Sequence, residues 1–165
     1  MPEKRTIERA RKAKRKGKAA STQAGEFIRE EIHHIREGKH GARSTQQAIA
    51  IGLSKARRAG VDLPPPKKGT VSERTRRSAE SAYQRGQRGK AKPAQSRSRS
   101  RRRVLQRESR SAASRGELSK QARSAARRRT RSARSTAAQK AARTQGRRRR
   151  SAAARKAART RARRA

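Results

Sequence analysis

The residues of this chain best suited to chemistry are arginines, which occur in three uninterrupted runs. A guanidinium group presents a planar fork of N–H donors that matches the oxygens of a phosphate, and it stays charged in proteins. Such contacts release condensed counterions and hold a protein on a polyanion without reading base sequence. The predicted phosphate-binding arginines are Arg101, Arg102, Arg103, Arg127, Arg128, Arg129, Arg147, Arg148, Arg149 and Arg150.

Residues that could carry catalysis or bind a metal do not form a constellation typical of either. The chain has no cysteine, no Gly-rich loop following a strand, and no serine placed beside a base. Three histidines, His33, His34 and His40, lie near glutamates, but adjacent histidines point to different faces of a helix. We interpret them as partners in surface ion pairs such as Glu30–His34. The sequence predicts a non-enzymatic protein with no metal, cofactor or small-molecule substrate.

Composition limits how much of the chain can fold. The 165 residues include 52 Lys and Arg against 11 Asp and Glu, a net charge of +41, with 28% hydrophobic and 1% aromatic residues. Such a chain buries too little apolar surface to offset the entropy of ordering it. No apolar run could span a bilayer, and the absence of cysteine suits a reducing compartment. We expect a cytoplasmic protein with no membrane partner, mostly disordered around a small folded region.

The stretch 44–60, STQQAIAIGLSKARRAG, has the marks of a defined helix. Ser44 can cap the first turn, and Gln47 completes a capping box. Gly60 supplies the left-handed residue that ends a helix, after which Val61 can fold back onto the last turn. The apolar positions recur at helical spacing, at Ile49, Leu53 and Ala56.

A second apolar stripe precedes this helix and predicts a partner for it. Its members are Ala24, Ile28, Ile32 and Ile35, with Phe27 at the border. A GKHG turn separates the two segments, and Gly52 would let the two backbones approach closely. We therefore predict an all-α fold, a helical hairpin at about 22–60. Because Ile51 points away from the stripe, the hairpin needs a further apolar contact, from a homodimer partner or from residues 70–85.

Changes in net charge and the positions of helix-breaking Pro and Gly residues divide the chain into four predicted segments. They are a basic N-terminal arm at 1–20, the helical hairpin at 21–63, a Pro- and Gly-containing linker at 64–96, and an Arg/Ala/Ser-rich tail at 97–165. The hairpin segment has a net charge of only +2, and the tail has +25. In the linker, Thr70 and Glu73 form a capping box for a short helix ending at Gly86. The basic arms are expected to be disordered when free and partly helical when bound to phosphates.

The scarcity of aromatic residues bears on which kind of nucleic acid the chain would bind. Phe27 belongs to the predicted core and Tyr83 stands alone, so the chain offers little for bases to stack on. This favours duplex DNA over RNA, although an RNA-binding or ribosome-associated protein is the main alternative. A protein-interaction module tethered to nucleic acid is a further one. The second helix could also contact phosphate through Lys55, Arg57 and Arg58.

Two resemblances agree with this interpretation. The segment 23–60 resembles a family of small basic bacterial proteins of unknown function, whose hallmark QAIAI-[GA]-LS-x-ARRAG is matched by Gln47–Gly60. Many members have an acidic residue where Lys55 stands, and they are presumed to bind DNA. The tail is similar in composition to the tails of linker histones and bacterial histone-like proteins. The likeness of the tail implies compaction of chromatin or of a nucleoid. With the arginine pattern, we expect a non-specific, nucleoid-associated protein that neutralises and bridges duplex DNA.

Overall fold

The computed structural model describes residues 2–89 and 95–144, together with Ala152, Arg155, Arg159 and Ala162. The described residues form α-helices and one 3₁₀ turn, with no strand among them, which confirms the predicted all-α class. None of the helices in this described part has the length and apolar character to cross a membrane. The helices are α1 Lys4–Arg15, α2 Ala20–Arg36, α3 Thr45–Arg58, α4 Glu73–Gln87, α5 Gln95–Gln106, α6 Arg115–Arg127 and α7 Arg131–Thr144, with the 3₁₀ turn at Ser111–Ala113.

The chain divides into two compact units, Met1–Gln121 and Ala122–Ala165. The first unit holds two clusters of buried apolar side chains, described below. The second unit holds the end of α6 and all of α7, and every described side chain of α7 is exposed. An apolar core is therefore a feature of the first unit among the described residues.

Helix α3 begins as its capping residues predict. The hydroxyl of Ser44 accepts the amide N–H of Gln47 at 3.2 Å. The Gln47 side chain reaches back one residue further than a standard capping box, since its Oε1 accepts the amide of Arg43 at 2.7 Å. The Ser44 hydroxyl thus satisfies a backbone donor of the first turn, and the Gln47 side chain satisfies the amide of the residue that precedes the cap.

The end of α3 is a Schellman motif centred on Gly60. Gly60 has φ +84°, a conformation that L-residues with a Cβ rarely adopt. Its amide donates to Arg57 O at 3.0 Å, and the amide of Val61 donates to Ala56 O at 3.1 Å. Val61 is buried beside Ala56 in the first apolar cluster, so the predicted return of the chain onto the last turn is confirmed.

Helices α2 and α3 approach closely at Gly52, which is buried. A Cβ atom built on this residue would lie 2.8 Å from Cα of Ile28. Side chains essentially never come so close to a backbone atom, so the absence of a side chain at Gly52 permits this packing.

The buried face of each helix is shifted from the predicted stripe. Phe27, predicted at the border of the stripe, is fully buried, whereas Ile28 and Ile32 are half-buried. Half-buried side chains also flank the face of α3, at Ile49 and Leu53. The buried positions of α3 centre on small residues instead, at Ala48, Gly52 and Ala56. Small side chains occupy the contact because the two backbones leave no room for branched ones.

The segment 1–20, predicted as a basic arm, contains α1, which packs on α2. Thr6 and Ala10 are buried one turn apart, with Ile7 half-buried beside them. Ala10 joins Phe27 in the first apolar cluster. This face consists of one isoleucine and small residues. Such a weak apolar pattern could not be recognised in a segment with nine lysines and arginines.

The beginning of the predicted tail also contributes to the core. Ala112 and Ala113 of the 3₁₀ turn complete a second apolar cluster around Ile35. The turn between α2 and α3 bonds to the same region, since the amide of Gly41 donates to Leu105 O at 2.8 Å. The first unit consequently extends well beyond the boundary predicted at residue 97.

Helix α4 differs from its prediction at both ends. Ser72 rather than Thr70 caps it, because the Ser72 hydroxyl accepts the amide of Thr75 at 3.3 Å. Gly86 lies inside the helix rather than at its end, and a Cβ there would overlap the carbonyl oxygen of Arg57. Helix α4 therefore crosses α3 at a glycine and supplies the additional contact expected from the linker segment.

Candidate nucleic-acid interface

The three predicted arginine runs have different places in the structure. The run 101–103 lies in the exposed second half of α5. The run 127–129 ends α6 and enters the turn before α7, where all three side chains are exposed. The run 147–150 lies outside the described residues. Glu117 is the last acidic residue of the sequence, so the later arginines have no acidic neighbour in their own segment.

Lys55, predicted to contact phosphate, points into the fold. Its Nζ lies 2.6 Å from Oε2 of Glu31 and 3.2 Å from Oε1 of Glu30. The Lys55 side chain is 16% exposed, and both carboxylates are nearly or fully buried. The ammonium group is therefore engaged in joining α3 to α2, which disfavours the predicted contact with phosphate.

Glu30 is held in its charged form by this arrangement. Burial, the largest single influence, raises its pKa, but several contacts act in the opposite direction and prevail. The Thr6 side chain and the backbone N–H of Glu3 donate to the carboxylate, and the charge of Lys55 adds to their effect, so the pKa of Glu30 is lowered. The carboxylate thus ties α1 as well as α3 to α2.

Arg57 is buried and supports the chain that leaves α3. Its Nε donates to Leu63 O at 3.0 Å, and its Nη2 donates to Pro64 O at 3.3 Å. Burial lowers the pKa of Arg57, although a guanidinium group in a protein keeps its charge at neutral pH. The side chain therefore has a structural role, which sequence spacing alone did not indicate.

Arg58 is exposed and belongs to a group of like charges. Desolvation of its guanidinium, followed by the charges of Arg101 and Arg85, lowers the pKa of Arg58. These three residues come from α3, α4 and α5, and we call them the three-arginine patch. Mutual repulsion disfavours the patch until an anion lies against it, so it is suited to a phosphate group.

A second group of arginines lines a surface cleft of about 530 Å³. Arg36 comes from α2 and donates through Nε to Ala113 O at 2.9 Å. Arg110 and Arg115 flank the 3₁₀ turn, and none of the described residues that line the cleft is acidic. No local sequence pattern indicates this group, because 77 residues separate Arg36 from Ala113.

The acidic residues are largely engaged in short ion pairs within the chain. Among the described residues, carboxylates pair with six lysines and arginines, namely Arg29, Lys39, Lys55, Arg76, Arg77 and Lys120. Most of these pairs join neighbouring turns of one helix, such as Arg76 with Glu73 at 2.6 Å. The excess positive charge of the chain, +41, is therefore carried by the other lysine and arginine side chains.

The histidines are placed differently from one another. His33 pairs with Glu37 at 2.9 Å on the surface, in agreement with the interpretation as surface ion pairs. His34 pairs with Glu3 at 2.8 Å, and the expected Glu30–His34 pair is not formed, because Glu30 faces Lys55. His40 lies 3.3 Å from the fully buried Glu31. Two of the three histidines therefore belong to a largely buried polar cluster.

Comparisons with protein families, with curated proteins and with solved structures found no match. The two resemblances noted in the sequence therefore stay interpretations of the sequence.

Proposed function

We propose that this protein is a non-enzymatic, non-specific DNA-binding protein of the nucleoid, which neutralises and bridges duplexes. The observation that supports this function most strongly is a separation of charge. Carboxylates are paired with nearby cations in the first unit, whereas exposed arginines on α5 and beyond Glu117 form long stretches of uncompensated charge. A polyanion is the partner that such a surface favours.

Bridging requires more than one binding surface on the chain. The first unit carries the three-arginine patch and the arginine-lined cleft, and the second unit carries the exposed arginines around α7. Surfaces joined in one chain raise each other's effective concentration on a DNA molecule, so weak contacts combine into a high avidity. A homodimer, which stays a prediction, would double the number of such surfaces.

Duplex DNA is favoured because neither aromatic residue is fully exposed for stacking. Phe27 is fully buried in the first apolar cluster. Tyr83 is half-buried, and its hydroxyl donates to Oδ1 of Asp62 at 2.7 Å. Proteins that grip single strands usually stack bases on aromatic side chains, and the chain has no other aromatic residue of that kind.

Competition at matched salt tests this choice of nucleic acid. A labelled duplex of about 30 base pairs would be displaced with unlabelled duplexes of unrelated sequence, or with an RNA hairpin carrying the same number of phosphates. We expect unrelated duplexes to compete within about twofold of one another, because phosphate contacts do not read bases. We expect the RNA to compete less well. An RNA hairpin that competed about tenfold better would contradict the proposal and favour the RNA-binding alternative.

Two adjacent arginines provide a matched pair for locating the interface on the first unit. Arg58→Gln is expected to reduce the slope of log affinity against log salt by about 0.9, the value for one phosphate contact, with little change in the free energy of unfolding. Arg57→Gln is expected to leave the slope unchanged and to lower the free energy of unfolding by about 1–3 kcal/mol. The reason is that the carbonyl groups of Leu63 and Pro64 lose a buried donor.

The two effects are measured by fluorescence anisotropy with a labelled duplex at several salt concentrations and by urea denaturation of each free variant. Equal slopes for the Arg58→Gln variant and the unmodified protein would remove the three-arginine patch from the interface. A shallower slope for the Arg57→Gln variant would contradict its structural role.

A further inference from the structure

A carboxylate and two imidazoles meet between α2 and the turn that precedes α3. Glu31, His34 and His40 each place one metal-ligating atom within 4.8 Å of the other two. Glu31 is fully buried, and the side chains of His34 and His40 are only 13% and 14% exposed. The cluster is thus part of the folded interior, and the arginine surfaces discussed above do not include it.

The contacts around the rings leave each neutral histidine with one nitrogen able to bind a cation. His40 Nδ1 lies 3.0 Å from Gly41 O, which can only accept, so Nδ1 carries a proton and Nε2 has the lone pair. His34 Nε2 lies 2.8 Å from Oε1 of Glu3, so a neutral His34 has its lone pair on Nδ1. A carbonyl or carboxylate behind the ring is the usual means of orienting a metal-binding histidine.

Glu31 has an unusual environment for a buried carboxylate. Its Oε2 lies 2.6 Å from Lys55 Nζ, and its Oε1 lies 3.3 Å from His40 Nε2, yet neither oxygen accepts a well-directed hydrogen bond. Two lone pairs that face each other at this distance repel unless a cation lies between them. Two ligands bound to tetrahedral zinc at about 2.0–2.1 Å are themselves separated by about 3.3 Å. The spacing of Oε1 and Nε2 therefore fits a shared metal ion.

The balance of charges around the cluster also favours a bound cation. Two buried carboxylates, those of Glu30 and Glu31, meet one largely buried ammonium group, that of Lys55. Lys39 lies 3.7 Å from Glu3, but its side chain is 51% exposed. A bound cation would compensate the negative charge that Lys55 leaves between Glu30 and Glu31.

We propose that Glu31, His34 and His40 form a Zn²⁺ site with three protein ligands and a water molecule in the fourth position. Imidazole and carboxylate donors suit Zn²⁺ and neighbouring transition metals, whereas Ca²⁺ and Mg²⁺ prefer oxygen donors alone. The ion joins α2 to the turn before α3, and Glu3 extends the link to the residue preceding α1. It stabilises a small core built mostly from alanine, for which a structural metal is a common supplement.

The test uses the full chain, freed of nucleic acid by nuclease and high salt, stripped with a chelator and then dialysed. Isothermal titration with ZnCl₂ is expected to give one ion per chain. At zinc concentrations about 100-fold above Kd, the melting temperature is expected to rise by about 5–15 °C. CoCl₂ is expected to produce the visible absorption bands of a four-coordinate site.

Histidine variants separate this site from adventitious binding. His34→Gln and His40→Gln are each expected to weaken zinc binding by more than about 100-fold, because each loses a ligand. His33→Gln is the matched control, since His33 is adjacent, exposed and paired with Glu37, and it should bind zinc as the unmodified protein does. Glu3→Gln should keep the stoichiometry and weaken binding by about 10- to 100-fold, as expected for a residue that orients a ligand.

Two outcomes would overturn the proposal. One is a protein that binds no zinc in a saturable manner. The other is a loss of affinity in the His33→Gln variant equal to that in the His34→Gln variant, which would indicate non-specific binding by histidines. Neither outcome depends on the DNA-binding function.

Discussion

A chain truncated after Gln121 is expected to bind duplex DNA more than about a thousandfold more weakly than the full protein in 50 mM salt. The deletion removes 18 of the 52 lysines and arginines and no acidic residue. If about twelve of those residues contact phosphates, the slope of log affinity against log salt becomes shallower by about 11. Affinity and slope fall together because the lost binding free energy is mainly that of counterion release.

The position of the cut decides whether this experiment is interpretable. Gln121 ends the first compact unit, so the truncated chain keeps both apolar clusters. A cut near Pro93, just before the predicted start of the tail at residue 97, would also remove Ala112 and Ala113 from the second cluster. Lost affinity could then reflect a damaged fold.

Anisotropy titrations at several salt concentrations measure both quantities, and far-UV circular dichroism checks the fold of the fragment. A full-length control in which the arginines of 122–165 become lysines keeps the charge and should keep most of the slope. Unchanged affinity and slope after truncation would show that the tail is not the binding element.

Local signals explain which parts of the fold were predictable. Ser44 and Gln47 at one end of α3 and Gly60 at the other act through bonds to residues within four positions, so a short stretch of sequence contains all the information. The close approach at Gly52 was also predictable, since a glycine inside an otherwise well-formed helix usually has a packing reason.

Contacts between distant segments were not predictable in the same way. Ala112 and Ala113 pack with Ile35 although more than 70 residues separate them, and alanine gives no sign of burial in a segment rich in alanine. Lys55 looks like any other helical lysine until the fold brings Glu30 and Glu31 beside it. The role of a basic residue in this chain is therefore decided by the few carboxylates, which the fold concentrates near α2.

Gly52→Val is expected to lower the free energy of unfolding by about 3 kcal/mol or more, a large share of the stability of a small domain. The added Cβ would lie 2.8 Å from Cα of Ile28, and a branched side chain adds two further methyl groups at the same contact. The helices must move apart, which also disturbs the ion pairs of Lys55 across the same contact. The higher helix propensity of valine than of glycine restores only about 0.5 kcal/mol of the free energy of unfolding.

Gly25→Val is the matched control, because Gly25 lies in α2 and a Cβ there would have no neighbour within 4 Å. That variant should be as stable as the unmodified protein to within about 0.5 kcal/mol, as measured by urea denaturation.

Adding Ile28→Ala to Gly52→Val shows whether the clash at residue 52 is with the backbone or with the side chain of Ile28. The nearest atom is a backbone Cα, which alanine retains, so the double variant should recover little stability. Full recovery would show instead that the Ile28 side chain keeps α2 and α3 apart, and that Gly52 is not the point where the backbones meet.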